Sequence, residues 1–161
     1  MLFPPMRSFT YILVVAVLAG FASCDSRQVF DKYLEIDNST WHKDSLVTFK
    51  VPVSDTLENH NLLIQLRNET SYRFSNLWLF IRITEPNGRV EKDTFEIVLA
   101  DPSGRWLGDG FGGLKTRQSI YRRNVTFPAS GEFEISIGHG MRDELLKGIH
   151  DVGFRVEKVS P

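Results

Sequence analysis

The stretch NLWLFIRIT (Asn76–Thr84) alternates residue by residue. Leu77, Leu79, Ile81 and Ile83 fall on one side of an extended chain, and Trp78, Phe80 and Arg82 fall on the other. Side chains of a strand point alternately to opposite faces, so this run predicts a strand with one face buried in a core. Working outward, the same period recurs. SLVTFKVPV (45–53) sets Leu46, Thr48 and Lys50 against Val47, Phe49 and Val51. HNLLIQLRN (60–68) gathers Leu62, Ile64 and Leu66, and DTFEIVLA (93–100) gathers Phe95, Ile97 and Leu99. SIYRRNVTF (119–127), GEFEISIG (131–138) and DVGFRVEKV (151–159) follow the same rule. Between these runs lie EPNGRV (85–90) and PASGE (128–132), which are turn chemistry; Asn87-Gly88 between two alternating runs signals a hairpin.

One segment breaks the pattern. In HGMRDELLKG (139–148), Met141 and Leu145 are four apart, Asp143 precedes Lys147 by four, and Gly148 can end a helix. The expectation is therefore an all-β chain, a single antiparallel β-sandwich of jelly-roll-like or Ig-like type over 45–161, with one short helix at Met141–Lys147 near the C-terminus. The polar segment 24–44, with scattered anchors at Phe30, Tyr33, Ile36 and Trp41, reads as a tether leading into it.

Composition narrows the function classes. The chain has 161 residues, 42% hydrophobic and 24% charged, enough for one domain with a core. Its 19 basic and 20 acidic residues leave a formal net charge of -1, without the basic excess of a nucleic-acid binder. Cys24 is the single cysteine, so neither an internal disulfide nor a thiolate metal site can form.

The position of that cysteine carries information. Arg7 is the only charge before YILVVAVLAG (11–20), an apolar run about half the roughly 20 residues a membrane-spanning helix needs. FASC (21–24) then supplies small residues directly before Cys24. This layout is a secretory signal over 1–23. Its small-small-Cys ending resembles a bacterial lipoprotein box, although Phe21 stands where Leu is typical. The resemblance implies diacylglyceryl transfer to the Cys24 thiol, cleavage before it and acylation of the new amino group. Several acyl chains then fix the protein to a membrane, at about 0.8 kcal/mol per buried methylene.

Two stretches invite a chemical reading. ADPSGRWLGDGFGGLKT (100–116) places Gly104, Gly108, Gly110, Gly112 and Gly113, five of the chain's 12 glycines, around Trp106 and Phe111. A connection this long and this rich in glycine reads either as a structured loop whose aromatics fold back, or as a surface for a partner; Arg105, Trp106 and Phe111 are the candidate contact residues. No Lys-Ser or Lys-Thr pair opening a helix follows, so it is not a phosphate cradle. IGHGMRDE (137–144) offers His139, Arg142, Asp143 and Glu144, but no nucleophile elbow accompanies them, and a strand end followed by a tight turn accounts for them. His42, His60 and His150 lack metal-ligand spacing. No catalytic residue, metal or cofactor is expected. The sequons at Asn38, Asn68 and Asn124 are chance matches in a chain with a lipoprotein signal.

Taken in order, WHKDSLVTFKVPVSDT, NLLIQLRNETSYRFSNLWLFI, PNGRVEKDT, LADPSGRWLGDGFGG and GMRDELLKGIHDVGFRVEK resemble the GldH family, gliding-motility lipoproteins of Bacteroidetes, across roughly Phe30 to Lys158. The resemblance implies a lipid-anchored, periplasm-facing cell-envelope protein, without enzymatic activity and tied to gliding motility and the associated type IX secretion machinery. Its partners would be the membrane, through the lipid on Cys24, and other envelope proteins of that machinery. The alternative is a carbohydrate-binding sandwich with Trp78, Trp106 and Phe111 as stacking platforms. A flat row of exposed rings would favour glycan; a mixed patch with glycines and Arg105 would favour protein.

Overall fold

The computed structural model describes residues 27–159. In chain order its strands are β1 (Gln28–Glu35), β2 (Thr40–His42), β3 (Val47–Val53), β4 (His60–Glu69), β5 (Asn76–Thr84), β6 (Val90–Val98), β7 (Leu114–Val125), β8 (Gly131–His139), β9 (Leu145–Lys147) and β10 (Ile149–Lys158). They form a four-stranded sheet in the order β1-β10-β4-β7, a second in the order β3-β8-β5-β6, and a small β2-β9 pair, all antiparallel. Cys24 and the signal segment 1–23 lie outside the described residues.

The founding run behaves as its period demands. Leu77, Leu79, Ile81 and Ile83 are buried, while Trp78, Phe80 and Arg82 are exposed. They join Phe49, Val51, Ile135, Ile137, Leu62, Ile64, Leu66, Phe154 and Val156 in one apolar cluster fed by both four-stranded sheets. Ring contacts bridge the layers: Phe49 lies 6.0 Å from Phe154 and 6.5 Å from Phe30. On the opposite side β6 and β7, edge strands of different sheets, are joined through side chains. Arg122 reaches Glu91 at 2.6 Å and Asp93 at 3.1 Å, and Phe95 meets Tyr121 edge-on at 5.4 Å. The Asn87-Gly88 turn is present, with Gly88 N–H donating to Glu85 O at 2.9 Å and Gly88 at φ 85°.

Two expectations require correction. Among the described residues there is no α-helix, only a 3-10 turn at Asp37–Ser39. The segment expected to be helical, Met141–Lys147, is a bend followed by β9, whose Leu146 pairs with Trp41 of β2. Leu145 and Lys147 are exposed and Leu146 is buried, a period of two. One helical turn is costly to nucleate and would leave Leu146 without Trp41, whereas the pairing buries both side chains and lets Lys43 N–H reach Glu144 O at 2.9 Å. The spacing of Met141 and Leu145 has a different origin: Met141 Sδ accepts from Trp78 N–H at 3.5 Å, and Leu145 is exposed. Second, the segment 24–44 is more than a tether. From Gln28 onward it contributes β1, an edge strand on β10, because Phe30 and Leu34 find places against the core.

The connections define two ends of the molecule. The segments 54–59, 85–89 and 126–130 lie at the end where β1 begins and β10 finishes. The segments 70–75, 99–113 and 140–144 lie at the other.

Candidate functional site

The loop 99–113 is built in two stages. Asp101 organises the first. Its Oδ1 accepts from Ser103 N–H at 2.9 Å, Ser103 Oγ–H at 2.6 Å and Arg105 N–H at 3.0 Å, and its Oδ2 accepts from Arg105 Nε–H at 3.1 Å. The Ser103 hydroxyl, then the Arg105 amide, pull the Asp101 carboxyl down to about 2. The chain then returns to pair Trp106 with Ala100, and the half-buried Trp106 ring packs against the core cluster.

The second stage is a small hairpin. Asp109 and Thr116 exchange both backbone hydrogen bonds, at 3.0 and 2.7 Å. Gly108 and Gly110 allow this approach: a Cβ would stand 2.6 Å from Thr116 O at the first and 2.5 Å from Leu114 O at the second. Lys115 Nζ donates to Gly110 O at 3.0 Å, and Thr70 N–H to Gly113 O at 2.8 Å. At the tip, Phe111 is 100% exposed. A fixed loop thus presents a phenyl ring entirely to its surroundings.

The structure therefore divides the candidate residues. Arg105 is exposed and paired with Asp101, Trp106 turns inward, and Phe111 turns outward. Trp78 stands apart from both, on the outer face of β5 beside Phe80, so Trp78, Trp106 and Phe111 do not make one row.

His139 is buried. Its Nε2 lies 3.2 Å from Trp41 O, so this nitrogen carries the proton, and its ring meets the Trp41 ring edge-on at 5.5 Å. Burial holds its pKa below the usual value. Arg142, Asp143 and Glu144 lie on the bend that follows; Glu144 carries a 3.7 Å contact to His42. Among the described residues no group of three or more His, Cys, Asp or Glu side chains is placed to hold a metal ion. Also among them, no helix is long and apolar enough to cross a membrane.

Sequence reasoning missed one charged cluster. Asp151, buried in β10, lies 2.9 Å from Arg67 Nε and 2.6 Å from His150 Nδ1, and the Arg67 guanidinium sits 4.9 Å from the centre of the Tyr33 ring. Arg67, Tyr33 and Asp151 come from three strands, so only register brings them together.

The sequence profile of the family described as GldH lipoprotein matches residues 28–156, nearly the whole described fold. The chain belongs to the GldH lipoprotein family. Two relatives agree. The chain is 42% identical over 161 residues to the gliding motility lipoprotein GldH homolog of Christiangramia forsetii, covering 95% of this chain and 98% of that one. It is 40% identical over 154 residues to the gliding motility lipoprotein GldH of Flavobacterium johnsoniae, covering 91% and 94%. Among solved structures, dimeric latent PorU of Porphyromonas gingivalis aligns with 85% of this GldH-family chain and 14% of its own at 11% identity, with a TM-score of 0.33, a level that carries no argument about fold or role.

Proposed function

We propose that this GldH-family protein is a lipid-anchored, non-enzymatic adaptor of the cell envelope, periplasm-facing, that serves gliding motility and the associated type IX secretion machinery. Its two four-stranded layers act as a single β-sandwich that holds a contact loop at one end. The observation that carries this reading is the pinned loop with Phe111 fully exposed at its tip. Glycines make a loop costly to order, and an aromatic ring gains most when covered, so an ordered glycine loop that holds a ring in water fits a surface awaiting a protein partner. Arg105 stands beside it as a polar contact, and Trp106 supports the loop from within.

Placement supports the same reading. Cys24 precedes the first described residue, Arg27, by three positions, a reach of about 11 Å at full extension. Acyl chains on Cys24 thus hold the end where β1 begins at the membrane. The Phe111 loop lies at the opposite end, roughly the length of a ten-residue strand away, about 33 Å.

The test is Phe111→Ala in cells that depend on this chain for spreading. The purified variant keeps the wild-type melting temperature, while colony spreading and secretion fail. Normal spreading with Phe111→Ala at wild-type abundance would contradict the proposal.

A further inference from the structure

The two outer faces differ in how their charges are used. On β1-β10-β4-β7 two outward arginines are paired: Arg155 Nη1 lies 2.7 Å from Asp31 Oδ2, and Arg67 Nε lies 2.9 Å from Asp151 Oδ2. On β3-β8-β5-β6 the outward side chains of β5 are Trp78, Phe80 and Arg82, with Trp78 41% and Phe80 58% exposed. These rings pack over Gly140, where a Cβ would stand 3.1 Å from the Phe80 ring and 3.4 Å from Trp78 Cβ. Leu46, 56% exposed, covers Gly138 in the same way at 3.0 Å. The result is a continuous apolar strip, and contiguous strips of this kind mark binding surfaces more often than scattered apolar residues do.

Beside the strip runs a groove of about 290 Å³ whose walls include Phe80, Arg82, Lys92, Asp93, Thr94 and Ser136. Arg82 and Lys92 are direct cross-strand partners in the β5–β6 register. Like charges in that position destabilise a strand pair. Among the described residues neither has an ion-pair partner. Of the acids of β6, Glu91 and Asp93 hold Arg122 on the other side, and Glu96, opposite Trp78 on this face, accepts from Asn76 Nδ2–H at 2.6 Å. Glu134 of β8 stands opposite Thr84 and Lys50, on this same face and two residues along from Arg82's own partner Ser136.

We infer that this face binds an acidic sugar. A sugar ring stacks on Phe80 and Trp78, its carboxylate neutralises Arg82 and Lys92, and its hydroxyls meet Thr94 and Ser136. Charge complementarity places the anion at the Arg82–Lys92 position, where two unpaired cations stand side by side, and away from Glu96 beside Trp78 and Glu134 beside Thr84. The backbone selects against a peptide strand: β5 is hydrogen-bonded to β6 on one side and β8 on the other, so no strand can be added here. The planar guanidinium of Arg82 suits a carboxylate in bidentate geometry. This inference concerns a different surface from the Phe111 loop and stands or falls separately from the adaptor reading.

The experiment uses the full-length protein in detergent micelles, titrated with tetragalacturonate, tetramannuronate and a chondroitin oligosaccharide, with the uncharged methyl ester of tetragalacturonate, and with hexaglutamate, followed by calorimetry and tryptophan fluorescence. Tetragalacturonate binds saturably, and its methyl ester binds at least tenfold more weakly. Arg82→Gln and Lys92→Gln each weaken tetragalacturonate binding about tenfold, as the loss of one charge-assisted contact does. Phe80→Ala abolishes binding with the melting temperature unchanged, and Phe111→Ala leaves it intact. Three results overturn the inference: no binding of tetragalacturonate, tetramannuronate or chondroitin oligosaccharide; binding that the Arg82, Lys92 and Phe80 variants leave unchanged; or hexaglutamate competing as well as the sugar, which marks an acidic protein segment as the occupant.

Discussion

Phe111 and Trp106 belong to one loop and have opposite surroundings, and that contrast sets the residue-scale expectations. Trp106→Ala removes a ring that packs against the core but stays partly exposed, so it costs about 2 kcal/mol, less than a fully buried aromatic. Phe111→Ala removes no contact within the fold and leaves stability unchanged. Leu79→Ala lies at the centre of the buried face of β5 and costs about 2–5 kcal/mol in chemical denaturation. His139 gives a pH signature. Burial depresses its pKa below 6.5, so between those values the unfolded chain binds the proton more readily. Stability present above pH 6.5 is therefore lost as pH falls through 6.5 toward the folded value, and His139→Phe removes that part of the slope. Denaturant midpoints measured from pH 7.5 down to about pH 5 check this; identical slopes in the two proteins would contradict it.

At the scale of elements, the strands were legible because their period is a local property. Burial alternates along β3 and β5 residue for residue as the aliphatic pattern does. β9 was not legible as a strand, because its period emerges only when Leu146 meets Trp41 more than one hundred residues earlier. The local signals, Met141 with Leu145 and Asp143 with Lys147, pointed to a helix that the β2-β9 pairing outcompetes. Gly148 reports on this directly: at φ 92° it turns β9 into β10, and a Cβ would stand 3.0 Å from Tyr72 Cα. Gly148→Ala therefore destabilises by more than the roughly 1 kcal/mol of a strained backbone alone, whereas a glycine that merely ended a helix would tolerate alanine better. The Asp101 turn adds a second pH expectation. Its carboxyl is depressed to about 2, so the turn's stabilisation is full above the ordinary carboxylate range and is lost as pH falls through about 2. Asp101→Asn loosens amide protection at Ser103 and Arg105 near neutral pH and leaves β4 and β5 protected.

For the whole molecule, antiparallel layers and a shared core were readable from seven alternating runs, but the arrangement of strands was not. Which edges meet depends on contacts such as Arg122 with Glu91 and Phe30 with Phe49, between residues far apart in sequence. The candidate site was legible in part: glycine density located the loop, while the division of labour between Trp106 and Phe111 depends on which ring the hairpin tip carries. The apolar strip at Phe80 was written in β5 from the start, yet a period-two reading assigns that face only to the outside. The arrangement of ends carries the functional account. Cys24→Ser yields protein that no longer partitions into detergent, while circular dichroism stays that of an all-β protein. The most direct measurement is photo-crosslinking in the living envelope from a benzoylphenylalanine placed at position 111, with Leu57 as the control. Leu57 is 89% exposed, on the 54–59 loop at the end where β1 begins. A discrete protein adduct from position 111 that is missing from position 57 is the predicted result. No adduct at 111, or the same adducts from both positions, would contradict the account.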